Sequence, residues 1–370
     1  MAKTVFVLGA GASAKAGAPL MNTFLDKARD LLAAGKVDDK KDDFERVFKA
    51  LVKLRDVFYK SGFDLDNIES VFGAFEMARI IGKLGDCSQA EIDDLADSIR
   101  VLIVRTLDES IRYGYSTTDV TPPVPYGKFV RLLKDMNQAG QDCVQNSCSV
   151  LTFNYDIALD YAFAWSNVSQ GYCLKTSAEM NIVKLLKLHG SLNWGRCPKC
   201  NKVTAVPFFS KDRVMAYARK LGGSGSISLP AAQELVNATC DVDGCGTHLS
   251  GKPIIVPPTW NKTEGHAQLA NVWKQAAIEL GEAENIICIG YSLPESDLFF
   301  RYLFALGTVG EAHLRRFWVF DPDPDSTVKE RFTRLIGKGI ERRFKFVNGD
   351  GGIFGAAINH LREELIKSKS

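Results

Sequence analysis

Polar side chains that could transfer protons or bind a ligand follow two apolar runs in this sequence. Asn154 and Asp156 end the run LTFNYD, and His189 follows the run KLLKL. Residues two apart point to the same side of an extended chain, and open α/β sheets bind ligands at the carboxyl ends of their strands. A histidine at such an end can act as a general base near neutral pH. The alternatives are that Asn154 and Asp156 cap a helix and that His189 is structural.

The opening MAKTVFVLGAGASAKAGAPL contains a glycine turn with several interpretations. A lysine, an apolar run and the Ala12-Ser13-Ala14 spacing could form a secretory signal peptide. Gly9-x-Gly11-x-x-Ala14 could be the fingerprint of a hydride-transfer enzyme, but the acidic residues found about 20 positions later lie inside a helical pattern. The turn could also bind phosphate in another nucleotide-binding architecture, with its amides facing the anion. A turn that only packs a strand against a helix is the remaining alternative.

Two later apolar runs end in residues that suit contact with a nucleotide. Gly290 and Ser292 follow NIICI, and a glycine with a hydroxyl allows close approach to phosphate or ribose. Asp321 begins an Asp-Pro-Asp sequence after RFWVF, where a carboxylate could accept hydrogen bonds from both ribose hydroxyls or could simply form a turn. Five such signals at five predicted strand ends together supply what dinucleotide binding requires.

Two cysteine pairs predict a structural zinc site. Cys197 and Cys200 have the spacing of half a tetrahedral site, and Cys240 with Cys245 could provide the other half, with His248 in reserve. The 39 residues between the pairs exceed the usual spacing, so an insertion is expected there. Four protein ligands would close the ion to substrate. The alternative is four buried thiols.

Short apolar runs alternating with helical patterns must position these residues. The predicted strands are 4–8, 148–153, 182–188, 285–291, 316–321 and 342–347. The helical patterns are 20–34, 157–165, 266–281, 295–306, 325–336 and 353–367. This alternation predicts an α/β fold with a Rossmann-like parallel sheet.

The predicted domain organisation has three parts. Residues 1–194 and 253–370 form the Rossmann-like domain, and residues 195–252 form a small zinc-ribbon subdomain. Residues from about 40 to 138 read as helical almost throughout, without strand signals, and are expected to be a helical insertion.

Composition excludes some classes of protein. The 46 Lys and Arg residues nearly balance the 44 Asp and Glu residues, and no basic stripe is present, so direct nucleic-acid binding is not expected. No apolar run approaches the roughly 18–20 residues that span a bilayer. The nine cysteines, an odd number with scattered single residues, favour a reducing compartment. This argues against a signal peptide and predicts a cytoplasmic location.

The order of the motifs GAGAS, GAP, TFNYD, HGS, CPKC and GYSL resembles that of sirtuins, and most of all that of prokaryotic sirtuin-like NAD hydrolases. The resemblance covers residues 4–25, 148–200 and 240–325, whereas 40–138 has no counterpart. It implies a domain that binds NAD as substrate, cleavage of the nicotinamide–ribose bond, and a zinc ribbon at the cysteines.

The resemblance also implies roles for individual residues. Asn154 and Asp156 match the pair beside the reacting ribose and the nicotinamide amide, and His189 matches the catalytic base. The implied dinucleotide-binding residues are Gly9, Ala10, Gly11 and Ser13 in the first loop, Gly17 and Pro19 after it, Gly290 and Ser292 at the phosphates, and Asp321 at the adenosine ribose.

This sequence departs from the deacylating sirtuins just after the first loop. Those proteins continue with Gly-Ile-Pro-x-Phe-Arg, where this chain reads GAPLMN. Met21 replaces the aromatic residue that separates nicotinamide from the reacting carbon, and Asn22 replaces the arginine. Residues 252–265 do not match the segment that pairs with an acylated peptide. Both departures favour water as the acceptor.

An NAD hydrolase that releases nicotinamide and ADP-ribose is therefore the expected function. The alternatives are an NAD-dependent protein deacylase and a catalytically silent sensor of NAD or ADP-ribose. The resemblance further implies an NAD-depleting effector of prokaryotic anti-phage defence, restrained as a homo-oligomer or by a partner such as a HerA-like ATPase. The helical segment 40–138 is the expected assembly surface.

Overall fold

A seven-stranded parallel sheet forms the centre of the molecule. This computed structural model describes residues 3–55, 62–138, 148–175, 182–207, 211–256, 263–295, 297–308 and 314–366. The strands are β1 (Thr4–Leu8), β2 (Tyr113–Tyr115), β3 (Val120–Thr121), β4 (Cys148–Thr152), β5 (Gln170–Gly171), β6 (Val183–Lys187), β7 (Gly190–Arg196), β8 (Val203–Ala205), β9 (Gly225–Ile227), β10 (Pro253–Ile255), β11 (Asn285–Ile289), β12 (Arg316–Phe320) and β13 (Phe344–Val347).

Helices cover both faces of this sheet. They are α1 (Ala10–Ala14), α2 (Phe24–Ala33), α3 (Lys41–Arg55), α4 (Ile68–Ile81), α5 (Gln89–Ser110), α6 (Val124–Gln138), α7 (Ala158–Trp165), α8 (Lys211–Leu221), α9 (Thr263–Gly281), α10 (Leu298–Gly307), α11 (Thr327–Leu335) and α12 (Phe354–Leu365). Short 3₁₀ helices lie at Asp38–Lys40, Ala231–Asn237, Lys338–Arg343 and Gly349–Gly352. Within the described ranges, no helix is both long and apolar enough to cross a membrane.

The sheet order is β13-β12-β11-β1-β4-β6-β5, and each neighbouring pair is parallel. The carboxyl ends of the central strands are in register, because Leu8 pairs with both Ile289 and Thr152. The chain runs outwards from β1 in one direction first and later returns to its other side. That reversal is the place where open α/β sheets bind ligands. The predicted Rossmann-like fold is confirmed.

The alternation of buried side chains along β1 explains why both sheet faces need helices. Phe6 and Leu8 pack into one apolar core, and Val5 and Val7 pack into the other. Successive residues of a strand point to opposite faces, so an entirely apolar strand has two faces to bury. The strands predicted at the centre of the sheet are all present, with ends within two residues of the predicted ones.

The segment 40–138 is less uniform than its sequence suggests. The prediction that this segment lacks strands is wrong, because β2 and β3 pair antiparallel within it. The strand β9, from the cysteine-containing segment, pairs with β2. These strands are only two or three residues long, too short to show a periodic pattern. Its last helix, α6, packs on the central sheet, where the Phe129 ring lies 5.2 Å from the Phe6 ring. The helices α3, α4 and α5 form most of the rest of its described residues.

The cysteine-containing segment divides between two parts of the structure. The strands β7, β8 and β10 form a small antiparallel sheet beside the cysteines. Side chains from α8 and β9, including Val214 and Ile227, instead pack into the large core with the helical segment. The insertion expected between the two cysteine pairs therefore joins the small subdomain to the helices of 40–138.

Gly17 holds the first loop against the end of α5. Its φ is +104°, and a Cβ built there would lie 2.3 Å from the carbonyl oxygen of Ser110. The adjacent backbone confirms the close approach, because the Arg112 amide donates to the Ala16 carbonyl at 2.8 Å. An L side chain is strained at this φ and has no room at this contact.

We expect Gly17→Ala to lower the free energy of unfolding by about 2–4 kcal/mol, because it adds backbone strain to a steric clash. Chemical denaturation measures the change. Gly337→Ala is the matched control, since Gly337 has a φ of −81° and nothing lies within 4 Å of its added Cβ. Equal stability losses in the two variants would contradict the role assigned to Gly17.

Candidate functional site

A cavity of about 630 Å³ lies at the carboxyl edge of the sheet, between the loops that follow β1, β4, β6, β11 and β12. It brings together most of the residues predicted from sequence. Those lining it are Ala10, Gly11, Ser13, Pro19, Asn154, Asp156, His189, Gly290, Ser292 and Asp321. Gly9 and Gly17 are not among the lining residues. The residues that follow them, Ala10 and Ala18, do line the cavity. Gly9 and Gly17 therefore belong to the loop backbone but do not face the cavity.

The first glycine loop packs against the loop after β11. A Cβ on Gly9 would lie 2.5 Å from the Gly290 carbonyl oxygen, and one on Gly11 would lie 2.8 Å from the Gly290 Cα. Gly290 has a φ of +60°, and its own Cβ would lie 2.5 Å from the Ala12 nitrogen. Gly9 therefore only packs the turn against the neighbouring loop, which was one of the alternatives. Gly11 and Gly290 pack in the same way and also line the cavity.

Ser13 is the centre of a buried hydrogen-bond network. Its Oγ donates to Asp156 Oδ2 at 2.6 Å and accepts from Asn154 Nδ2 at 2.9 Å. Tyr126, from α6, lies with its hydroxyl 2.7 Å from the same Oγ. Because the single Ser13 proton goes to Asp156, Tyr126 must be the donor in its own contact. Burial raises the pKa of Tyr126 well above its usual value, which keeps that donor protonated.

The structure also shows which of the two TFNYD side chains caps a helix. Asp156 Oδ1 accepts from the Ala158 amide at 2.9 Å, so Asp156 caps α7 as well as lining the cavity. Asn154 makes no such bond and donates instead to the Gly9 carbonyl oxygen at 2.9 Å. Burial raises the pKa of Asp156, and the Lys187 ammonium opposes that shift.

A buried ion pair holds the backbone next to this hydrogen-bond network in place. Lys187 is 1% exposed, and its Nζ donates to the Asp156 carbonyl oxygen at 2.6 Å and to Asp160 Oδ2 at 2.9 Å. Tyr172 donates to the other oxygen of Asp160 at 2.5 Å. A fully buried charge is stable only when paired and hydrogen-bonded, as here. The pair fixes the backbone that carries Asp156.

His189 lies among aromatic rings at the edge of the cavity. Its ring centroid is 5.0 Å from that of Phe153, and the Tyr155 ring lies 6.2 Å away. Asp297 Oδ2 is 4.0 Å from His189 Nε2, and both side chains are almost fully buried. The Val256 amide donates to the His189 carbonyl at 2.8 Å, which ties this residue to the chain after β10.

The two carboxylates of the Asp-Pro-Asp sequence after β12 make different contacts. Asp323 accepts from the amides of Val328 and Lys329, each at 2.9 Å, and so caps α11. Asp321 accepts from the Asp323 amide at 3.1 Å and faces the cavity. Burial raises the pKa of Asp321. Asp321 therefore forms a turn and also lines the cavity, and its contact with a ligand stays a prediction.

The helical segment forms one wall of the cavity. Asn67, Glu69 and Phe72 from the start of α4 line it, as do two apolar side chains of α5. The Ile68 amide donates to the Met21 carbonyl oxygen at 3.1 Å, so the loop around Met21 is fastened to α4. The helical segment, which is expected to be an assembly surface, thus also contributes residues to the cavity wall.

Sequence reasoning missed Tyr126, Lys187 and Asp297. The importance of Lys187 could have been inferred from the sequence, because a lysine inside a predicted buried strand needs a partner for its charge. Asp297 could be read only as the cap of the helix after GYSLP, a role it does fulfil by accepting from the Phe300 amide at 3.3 Å. Tyr126 lies 113 positions from Ser13, and nothing in the sequence links them.

Four thiols meet at the predicted metal site. The Sγ atoms of Cys197, Cys200, Cys240 and Cys245 all lie within 4.8 Å of one another, and two pairs are 3.6 Å apart. A tetrahedral ion with Zn–S bonds of about 2.3 Å requires sulfur atoms about 3.8 Å apart. The donor set and spacing are therefore compatible with structural zinc. His248 is exposed and is not part of the cluster.

No protein-family model matches the sequence, and no curated protein matches it. Its structure is similar to those of Sir2 sirtuin homologues. A Sir2 homologue variant with ADP-ribose is 14% identical, with 100% of this chain and 94% of that chain covered and a TM-score of 0.43. A Sir2 complex with a p53 peptide and NAD+ is 12% identical over 100% and 94%, with a TM-score of 0.40.

A Sir2 homologue complex with NAD is 16% identical, with 98% of this chain and 91% of that chain covered and a TM-score of 0.37. At these identities the similarity concerns the fold alone. With TM-scores below 0.5, it does not indicate what this chain binds or which reaction it carries out.

We expect Cys200→Ser to lose most of the bound zinc and to loosen β7 and β8, because three thiolates hold the ion less tightly than four. Metal content per chain, measured by plasma emission spectrometry, tests this. Cys87→Ser is the control, because Cys87 is half-buried and outside the cluster. Wild-type protein purified without zinc, or a Cys200→Ser variant with full zinc content, would contradict the assignment.

Proposed function

We propose that this protein binds NAD and hydrolyses the bond between nicotinamide and ribose. One observation carries the proposal: Asn154, His189 and Asp321 follow three different strands and line the same cavity at the point where the strand order reverses. An amide, an imidazole and a carboxylate distributed along one sheet edge match the parts of a dinucleotide. The order of the sequence motifs supports the same assignment.

The cavity offers a place for each part of the substrate. Gly290 and Ser292 are suited to the phosphates, and Asp321 to the hydroxyls of the adenosine ribose. Two cationic side chains, Lys15 and Arg331, also line the cavity, and Arg331 donates to the Ser292 carbonyl oxygen at 3.2 Å. They supply positive charge where the pyrophosphate would lie.

The reaction requires little more than orientation and one proton acceptor. The C1′–N bond breaks, its electron pair neutralises the nicotinamide ring nitrogen, and a water oxygen bonds to C1′. The proton that water loses passes to His189 and then to solvent. Asn154, held by Ser13 and Gly9, would orient the ribose or the water, and Asp156 would face the carboxamide. The zinc ion held by the four cysteines would stabilise the fold and take no part in this step.

Water is the acceptor we favour because of the loop after Pro19. Met21 and Asn22 occupy the positions at which the deacylating sirtuins carry an aromatic residue and an arginine. Both side chains line the cavity, and the Met21 backbone is hydrogen-bonded to α4. The wall of the cavity at this point thus differs from the deacylase pattern in residue type.

We expect wild-type protein incubated with NAD, without any acylated peptide, to release nicotinamide and ADP-ribose in equal amounts. His189→Ala should lower this rate by about 100-fold or more, the typical contribution of a general base. Chromatographic quantification of both products tests this. The control is His360→Ala, because His360 packs on Trp318 and Phe320 away from the cavity.

Two other outcomes would each overturn the proposal in favour of a specific alternative. Turnover that requires an acylated peptide would identify a protein deacylase. Tight binding of NAD or ADP-ribose without turnover, together with no effect of His189→Ala, would identify a sensor.

The proposal extends to the setting in which the activity operates. We propose a cytoplasmic effector of prokaryotic anti-phage defence, which depletes NAD and is restrained in a homo-oligomer or by a HerA-like ATPase. The outer side of the helical segment carries exposed apolar side chains, Val52, Ile80 and Ile81, that suit an assembly surface. Light scattering during size-exclusion chromatography should show more than one chain per particle, and a monomer at every concentration would contradict it.

A further inference from the structure

Asp297 is a buried carboxylate in the cavity whose position is defined by several contacts. It is 1% exposed and begins α10, where its Oδ1 accepts from the Phe300 amide at 3.3 Å. Its Oδ2 accepts from the Tyr291 hydroxyl at 2.7 Å and lies 4.0 Å from His189 Nε2. One oxygen thus serves the helix, and the other faces the imidazole.

Aromatic packing holds the two partners of this contact in place. The Tyr291 ring stacks on the Phe153 ring with centroids 4.3 Å apart and planes 9° apart. Phe153 also packs its ring against His189, and Phe300 meets both Phe153 and Tyr291 edge-on. His189, Phe153, Tyr291 and Asp297 therefore form a closed ring of contacts. His189 cannot turn without disturbing its contact with Phe153, and Asp297 cannot turn without breaking its hydrogen bond to the Tyr291 hydroxyl.

We infer that Asp297 is a positioning residue for His189. The inference rests on the proposed function, in which His189 accepts a proton. A carboxylate facing the imidazole stabilises the positive charge that the ring acquires, and it favours one orientation of the ring. Asp297 accepts hydrogen bonds from the Tyr291 hydroxyl and the Phe300 amide, so both of its oxygens are held in place. The role of Tyr291 is to hold the Oδ2 atom toward His189.

A helix cap alone would account for the Phe300 contact and for nothing else. Asparagine is as good a cap as aspartate, so Asp297→Asn keeps that function through its one amide oxygen. It removes the charge and replaces the acceptor that faces Tyr291 and His189 with an NH2 donor. Tyr291→Phe keeps the stacking on Phe153 and removes only the hydroxyl that holds Oδ2. The two variants therefore separate positioning from capping and from packing.

The test is a double-mutant cycle on nicotinamide release with His189→Ala. In the wild-type background, Asp297→Asn should lower kcat by about 10- to 100-fold with little change in KM, the range seen for residues that orient a catalytic group. Tyr291→Phe should give a smaller loss in the same direction. In the His189→Ala background, neither substitution should lower the remaining rate further. Equal losses in both backgrounds, or a loss expressed mainly in KM, would overturn the inference.

A second measurement does not depend on the reaction. The thermal unfolding midpoints of the wild type, Asp297→Asn, His189→Ala and the double variant are compared at about pH 6, below the ordinary imidazole pKa. The double variant should lose less than the sum of the single losses, because the charge contact can be lost only once. If the wild type releases no nicotinamide, the proposed function fails, and this comparison alone then decides whether Asp297 and His189 interact. Additive losses would show that they do not.

Discussion

The site depends on the contact between two glycine turns, one after β1 and one after β11. The Gly9 amide donates to the Ile289 carbonyl oxygen at 3.2 Å and the Gly11 amide to that of Gly290 at 2.9 Å, so the two loops are joined by backbone alone. Neither turn has space for a Cβ facing the other. Because the strand ends are also in register, this contact sets where every later loop begins relative to Ser13. The distances within the site follow from it.

Buried charge is the second constraint, and it explains why the loop after β4 keeps one conformation. A lysine at the carboxyl end of β6, inside the core, would be costly without partners, and Lys187 finds both of them in the chain just after β4. The same ammonium opposes the effect of burial on Asp156. A shift of this backbone would leave a buried ammonium and a buried carboxylate unpaired. The ion pair therefore contributes more to the geometry of Asn154 and Asp156 than to overall stability.

The strands and the polar ends of the strands could be predicted from sequence because both are local patterns. An apolar run such as TVFVL, and a polar residue directly after it, are visible without knowledge of the rest of the chain. Tyr126 and Asp297 could not be predicted, because their roles arise from contacts with residues that are distant in sequence or that adjoin another strand. The antiparallel strands β2, β3 and β9 could not be predicted because they are only two or three residues long, and β9 pairs with β2 across more than 100 residues.

The loop at Met21 and the helical segment are separate features of the sequence, but they are joined in the structure and line the same cavity. In the structure the Ile68 amide bonds to the Met21 carbonyl oxygen, and Gly17, four residues earlier, packs against the end of α5. The helical segment thus holds both ends of this loop and supplies part of the same cavity wall. Under the proposed function, an acceptor must reach the ribose past this wall. A water molecule needs no groove to do so, whereas an acylated peptide would have to pass the wall to which α4 and α5 contribute.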